Sequence, residues 1–234
     1  MKRIGLLLVG HVDPKSQHIA GDYPELFRAL LAPLGIVLRR YDIDEGRFPD
    51  SLDECDGWLC SPSRYSAYAD IPWIRDTEQL HRDLIAQERP YVGICFGHQL
   101  LAQALGGRVD RSEDGWRVGV EDYELVEPQP WMGRSPPTHF SLIASHEDQV
   151  IAPPAGARVI ARAESCPIAG LVVGERAWTL QGNPEFVPPL ADHLLAGGVD
   201  LLGRERVADA RASLDRHLDR LTVARWIADF FDSV

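Results

Sequence analysis

The segment that most constrains this chain is Val92-Gly93-Ile94-Cys95-Phe96-Gly97-His98-Gln99-Leu100-Leu101. A short apolar run, Tyr91 to Ile94, follows Pro90 and passes straight into a helical pattern, with a glycine two residues to either side of Cys95. This G-x-C-x-G spacing matches the G-x-S-x-G nucleophile elbow, in which small flanking residues permit a sharp, strained turn that lifts a nucleophile out of a buried sheet. Backbone N–H groups at a helix start favour an anion, so a thiolate there can have a pKa well below the free value of about 8.5. The N–H of Phe96 is placed to donate to a developing oxyanion. The same spacing also suits a small buried residue at an ordinary strand-helix junction, where the glycines only allow close packing.

The first half of the chain alternates short apolar runs with helical stretches, the pattern of a parallel sheet wrapped by crossover helices. Strands are expected at Ile4 to Val9, Ile36 to Tyr41, Gly57 to Cys60 and Tyr91 to Ile94, with helices at Tyr23 to Leu34 and Trp73 to Gln87. From about Trp116 the periodicity changes, and strand-like segments follow one another: Arg117 to Val126, Phe140 to Ala144, Arg158 to Ala163, Ile168 to Val173 and Ala177 to Gln181. Proline-rich turns separate some of them, which predicts an antiparallel extension of the sheet. Helices return at Val187 to Ala196, Arg204 to Arg216 and Leu218 to Phe231, the last with a stripe of Leu221, Ala224, Ala228 and Phe231. The expectation is one domain, residues 1–234, of three-layer α/β architecture: a mostly parallel central sheet, flanking helices and an antiparallel strand extension.

Composition narrows the function. The formal net charge of −11 disfavours a nucleic-acid or anionic-membrane partner, since either needs a basic face. The N-terminal apolar run is short and interrupted by His11 and Asp13, so it reads as a buried strand rather than a leader, and no run approaches a membrane span. Cys55, Cys60, Cys95 and Cys166 show no paired spacing, which suggests reduced thiols and a cytoplasmic location. No phosphate loop, dinucleotide fingerprint or metal-spaced set of His, Asp and Glu is present, so neither a cofactor nor a metal is expected. Glu121, Asp122 and Glu124 read as a solvated strand face, and Tyr65 and Tyr68 as loop packing or a pocket wall.

Gly93-Ile94-Cys95-Phe96-Gly97-His98-Gln99 closely resembles the elbow of class I, triad-type glutamine amidotransferases, especially stand-alone members similar to the glutaminase part of GMP synthase and to γ-glutamyl peptidases. Three further blocks carry the resemblance in the same order. Cys60-Ser61-Pro62-Ser63-Arg64 falls where the family has a loop contributing to the oxyanion hole; Ser145-His146-Glu147-Asp148-Gln149-Val150 resembles its S-H-x-D-x-V segment; Gln181-Gly182-Asn183-Pro184-Glu185-Phe186 resembles its Q-G-H-P-E-F segment. The resemblance implies that Cys95 attacks the side-chain amide of glutamine or of another γ-glutamyl compound, forming a thioester and releasing ammonia. It further implies backbone donors at Phe96 and Ser63, since Pro62 has no N–H, and substrate contacts at Gln99, Ser145 and His146. Any ammonia produced would pass to a separate synthetase or be released.

The departure lies at position 183, where the family's catalytic histidine is asparagine while Glu185 keeps the place of the carboxylate. An imidazole takes the thiol proton and returns one to the leaving group; an amide does not titrate near neutral pH. General acid-base catalysis contributes about 10²–10⁴-fold, so glutaminase turnover is expected to be impaired. Either the pocket persists as a catalytically silent site that binds an amino-acid-like ligand or regulates a partner, or another base serves, or residue 183 carries an introduced change. His98 and His146 are the candidate substitutes, and each also reads as a structural histidine.

Overall fold

The apolar run near the N-terminus, with Ile4, Leu6, Leu7 and Leu8 wholly buried, becomes the second strand of a nine-stranded mixed sheet. The computed structural model describes residues 1–234. In chain order the elements are β1 (Lys2–Leu8), α1 (Gln17–Ala20), α2 (Tyr23–Leu31), β2 (Ile36–Asp42), β3 (Gly57–Cys60), α3 (Pro72–Ala86), β4 (Tyr91–Ile94), α4 (Phe96–Ala104), β5 (Arg108–Arg111) and β6 (Arg117–Leu125). They continue with β7 (His139–His146), β8 (Asp148–Ala152), β9 (Ala157–Ala163), β10 (Cys166–Val173), β11 (Ala177–Leu180), α5 (Pro188–Gly197), α6 (Val199–Leu202), α7 (Arg204–Ser213) and α8 (Arg220–Ser233). The sheet order is β2-β1-β3-β4-β11-β10-β9-β6-β7.

Strands β2, β1, β3, β4 and β11 pair in parallel, and the sheet then continues antiparallel through β10, β9, β6 and β7. Helices α2, α5, α7 and α8 cover one face and α3 and α4 the other, which gives the three-layer α/β architecture expected from the alternating pattern. The central strands lie between two helical layers, so β3, β4 and β11 are buried at every residue and read as continuous apolar runs. Each large side chain buried in these layers contributes about 1.5–3 kcal/mol.

Helix α2 shows how local chemistry sets an element that later matters. Asp22 caps it by accepting from the Tyr23 N–H, Glu25 completes the capping box, and Leu26, Phe27, Leu30 and Leu31 face the core. Its last turn tightens to a 3₁₀ turn over Ala32–Leu34 instead of continuing as α-helix, because Pro33 has no N–H to donate backwards.

Four elements escape the sequence patterns, the single-turn helices α1 and α6 among them. β5 and β8 form a separate two-stranded antiparallel ribbon, too short and too charged to show a strand period. The stripe on the last helix also needs correction. The helix begins at Arg220, which leaves Leu221 75% exposed, while Ala224, Ala228 and Phe231 are buried as expected, together with Val223, Trp226, Ile227 and Phe230. No helix is long and apolar enough to cross a membrane.

Candidate active site

Cys95 occupies a turn that L-residues rarely adopt, with φ 52° and ψ −100°. Such backbone strain persists only where the surroundings over-determine it. Here the Cys95 N–H donates to Leu180 O at 2.8 Å, extending the β4–β11 pairing by one residue, and the Gln99 N–H returns to Cys95 O at 3.1 Å to start α4. The flanking glycines are required by close approach. A Cβ on Gly93 would lie 2.6 Å from the Gly97 carbonyl oxygen, and one on Gly97 would lie 2.8 Å from Cys60 Cβ on the neighbouring strand.

The register of β3 against β4 pairs Cys60 with Gly93, so the loop Ser61-Pro62-Ser63 leaves the sheet alongside the elbow. Ser61 Oγ ties that loop to β1 by accepting from the Val9 N–H at 3.1 Å, and Ser63 packs against Gly10. The Ser63 N–H has no protein acceptor, and the Phe96 N–H, in the first turn of α4, has no intrahelical one. Two free backbone donors therefore sit on the two segments that the resemblance assigns to the oxyanion hole.

Electrostatics at the sulfur differ from the expectation of a depressed pKa. Burial, and secondarily the nearby Glu185 carboxylate, push the Cys95 thiol up to about 12, while the Phe96 N–H and the Asn183 amide, both facing the sulfur, act in the opposite direction. Burial outweighs the helix N-terminus, so the thiol is neutral at rest. Gln181, at the end of β11, donates from Nε2 to Cys95 Sγ at 3.5 Å. Its Oε1 accepts from Gln99 Nε2 at 3.2 Å, and the same Gln99 nitrogen donates to Asp148 O at 2.7 Å. The Gln99 amide nitrogen is therefore committed inside the protein, where the resemblance implied a substrate contact.

Asn183 is held by a bridge to β7, its N–H donating to Ile143 O at 3.0 Å, and its Nδ2 donates to Glu185 Oε1 at 2.9 Å. Asn183 Oδ1 and Glu185 Oε2 are buried with no partner. Burial pushes the Glu185 carboxyl up to about 7, against the partial relief given by the Asn183 hydrogen bond and Arg220. Arg220 itself spends its guanidinium on the Pro184 and Glu185 carbonyls, at 2.8 and 3.2 Å.

The histidines proposed as substitutes do not reach the sulfur. His98 Nε2 faces Ile168 O at 3.0 Å and must carry the hydrogen, so Nδ1 accepts from Thr179 Oγ1 at 2.7 Å. Burial pulls its pKa down to about 3, and both nitrogens are occupied. His146 bonds Asp148 O through Nδ1 at 3.1 Å, and burial pulls it down to about 4. Ser145 is exposed with an unpartnered hydroxyl, outside this buried network. The acidic strand residues are surface pairs: Asp122 with Arg216, Glu124 with Arg162, and Glu121 with Ser165. Tyr68 reaches Asp148, and Tyr65 packs edge-on to Trp73.

Sequence reading missed three neighbours of the sulfur. Gln181 stood inside a quoted motif, but only pairing of β11 with β4 aims it at Cys95. Tyr123 lies with its ring 3.0 Å from where a Gly182 Cβ would be, and its buried hydroxyl has no partner. Tyr23 stacks on Phe186 with centroids 6.3 Å apart. No local pattern signals either tyrosine, since each arrives from an element distant in sequence.

A buried thiol on a strained strand-to-helix turn, with free backbone donors beside it and a carboxylate behind, sits at the end of a central parallel strand in a three-layer α/β protein. The family model described as glutamine amidotransferase class-I matches residues 27–197, and the chain belongs to that family. Gamma-glutamyl peptidase 4 of Arabidopsis thaliana is 28% identical over 188 residues, covering 76% of this chain and 75% of the relative. The glutamine-hydrolyzing GMP synthase of Aeropyrum pernix is 40% identical over 101 residues, 42% of this chain and 19% of that protein. Among solved structures, a glutamine amidotransferase from Thermotoga maritima superposes with a TM-score of 0.77 at 21% identity, covering 98% of this chain and 96% of that one.

Proposed function

We propose that this chain hydrolyses the side-chain amide of glutamine or of a related γ-glutamyl compound, with Cys95 as nucleophile, at a rate reduced by asparagine at position 183. The carrying observation is the strained Cys95 elbow with Asn183 and Glu185 against it, in a member of the amidotransferase family. Attack of the Cys95 sulfur on the amide carbon forms a tetrahedral oxyanion, which the Ser63 and Phe96 N–H groups would receive. Collapse gives a γ-glutamyl thioester and ammonia or an amine, and water then releases glutamate. The peptidase-named and synthase-named relatives support the γ-glutamyl amide as the substrate class, and ammonia would pass to a separate synthetase or be released. The four free cysteines favour a reducing, cytoplasmic compartment, and the continuous nine-stranded sheet favours reading residues 1–234 as one amidotransferase-like domain.

Asparagine at 183 favours one second reading, a silent homologue that binds an amino-acid-like ligand or regulates a partner. Ammonia release from glutamine, and amine release from γ-glutamyl amides, separates the two when measured for the wild type, Cys95→Ala and Asn183→His. Turnover that disappears in Cys95→Ala supports hydrolysis. Absence of turnover in both the wild type and Asn183→His sinks it.

A further inference from the structure

The site holds two orphaned acceptors on neighbouring side chains. Asn183 Oδ1 and Glu185 Oε2 are both buried without a hydrogen-bond partner, on side chains that are themselves joined at 2.9 Å. A buried acceptor left unmade costs about 1–3 kcal/mol, so two together call for a donor. Asparagine is also shorter than the histidine that the resemblance places at 183, and it ends before the outer ring nitrogen of an imidazole would. A water molecule donating to Asn183 Oδ1 and Glu185 Oε2 and accepting from the Cys95 S–H would supply those partners.

Resting on the hydrolytic reading above, we propose that Glu185 is the general base and acid of this protein, acting on Cys95 through one water molecule seated by Asn183. The Cys95 proton passes to the water oxygen as the water gives a hydrogen to Glu185 Oε2, leaving a thiolate, a water and a neutral carboxyl group. The sulfur forms its bond to the amide carbon and the carbonyl electron pair moves to oxygen. On collapse the C–N bond breaks, and the nitrogen takes the proton back from Glu185 by the same route and leaves as ammonia or amine. In the second half Glu185 takes a proton from the attacking water, and Cys95 departs as thiolate and is reprotonated.

The carboxyl group suits this work because burial holds it near 7, where a base and its acid are both available at neutral pH. The groups that face it are the Cys95 thiol from the elbow, Tyr23 from α2 and the Arg220 guanidinium from α8. None is an imidazole. The thiol, held near 12, keeps its proton until attack, so transfer and attack proceed together.

The test is the pH dependence of glutamine or γ-glutamyl-p-nitroanilide turnover by wild type, Glu185→Gln, Asn183→Leu and Asn183→His, with folding checked by circular dichroism. Wild type should show a rise centred near pH 7, and folded Glu185→Gln should lose that inflection together with about 10²-fold or more in rate. Asn183→Leu, of similar size but unable to seat the water, should lose a comparable factor while Glu185 stays in place. A folded Glu185→Gln or Asn183→Leu protein that keeps the wild-type rate and profile overturns the relay. Turnover by Asn183→His with none by wild type also overturns the relay while leaving the hydrolytic reading intact; silence in both defeats that reading itself.

Discussion

Gln181 Nε2 lies 3.5 Å from Cys95 Sγ, and its own oxygen is gripped by the Gln99 amide. A chain of amides anchored on the Asp148 carbonyl thus ends on the Cys95 sulfur, and it fixes which way the Gln181 amide turns, since only its N–H₂ end can donate to sulfur. Gln181→Leu removes that donor without touching the elbow glycines. The expected outcome is a thiol that titrates higher and a rate of iodoacetamide alkylation at pH 8 lowered by about 5-fold, matching the ~1 kcal/mol of one hydrogen bond. An unchanged alkylation pH profile in the folded variant rules the contact out as functional.

Gly97→Ala places a methyl group 2.8 Å from Cys60 Cβ and 2.9 Å from Cys60 O, between helix α4 and the central strand β3 it packs on. Overpacking of this kind costs about 1–3 kcal/mol. A urea midpoint within error of wild type contradicts the close approach.

Glu185 gives the fold a pH dependence of unusual sign for a carboxylate. Its folded pKa, about 7, lies above the ordinary 4.5, so the native state holds the proton more tightly than the unfolded chain. The associated stability is complete below pH 4.5 and is lost as the pH rises through 7, by about 3 kcal/mol in all. The buried histidines His81, His98 and His146 act oppositely, because burial pulls them down to about 3, 3 and 4, and their contribution is lost as the pH falls below 6.5. Subtracting the denaturation free energies of Glu185→Gln from those of wild type, across pH 4.5 to 8, isolates the carboxyl contribution. A flat difference refutes the raised pKa.

His98→Leu should destabilise the protein by about 2–4 kcal/mol, because Thr179 Oγ1 and Ile168 O both lose their partner inside the core. Kinetics of the surviving folded protein should keep the wild-type pH profile, since this imidazole contacts neither the sulfur nor Glu185. A shifted kinetic pKa would instead return His98 to the chemistry.

Much of this was legible before any coordinates. Central strands such as Gly57–Cys60 and Tyr91–Ile94 are apolar throughout and end at glycine, proline or the elbow, so their limits coincide with the observed ones. The β5–β8 ribbon was not legible, because its pairing is a tertiary contact between charged short segments. Leu221 was misplaced because helical period alone does not say where the first turn begins. The site divides similarly: Cys95, Asn183 and Glu185 stand in motifs, whereas Tyr23 and Tyr123 come from α2 and β6 with no motif to mark them.

The sequence by itself determined the elbow, the alternating α/β order and the absence of histidine at position 183. Residue identity and spacing suffice for these, since turns and periodicities are local. Only the tertiary structure decided protonation and partnership: a thiol held up near 12, His98 with both ring nitrogens bonded in the core, His146 buried and bonded to a backbone carbonyl, and a carboxyl group poised near 7 on a side chain joined to Asn183. The reason is that desolvation and hydrogen bonding depend on what distant segments bring against a group, and that is fixed only when the sheet and its two helical layers close around it.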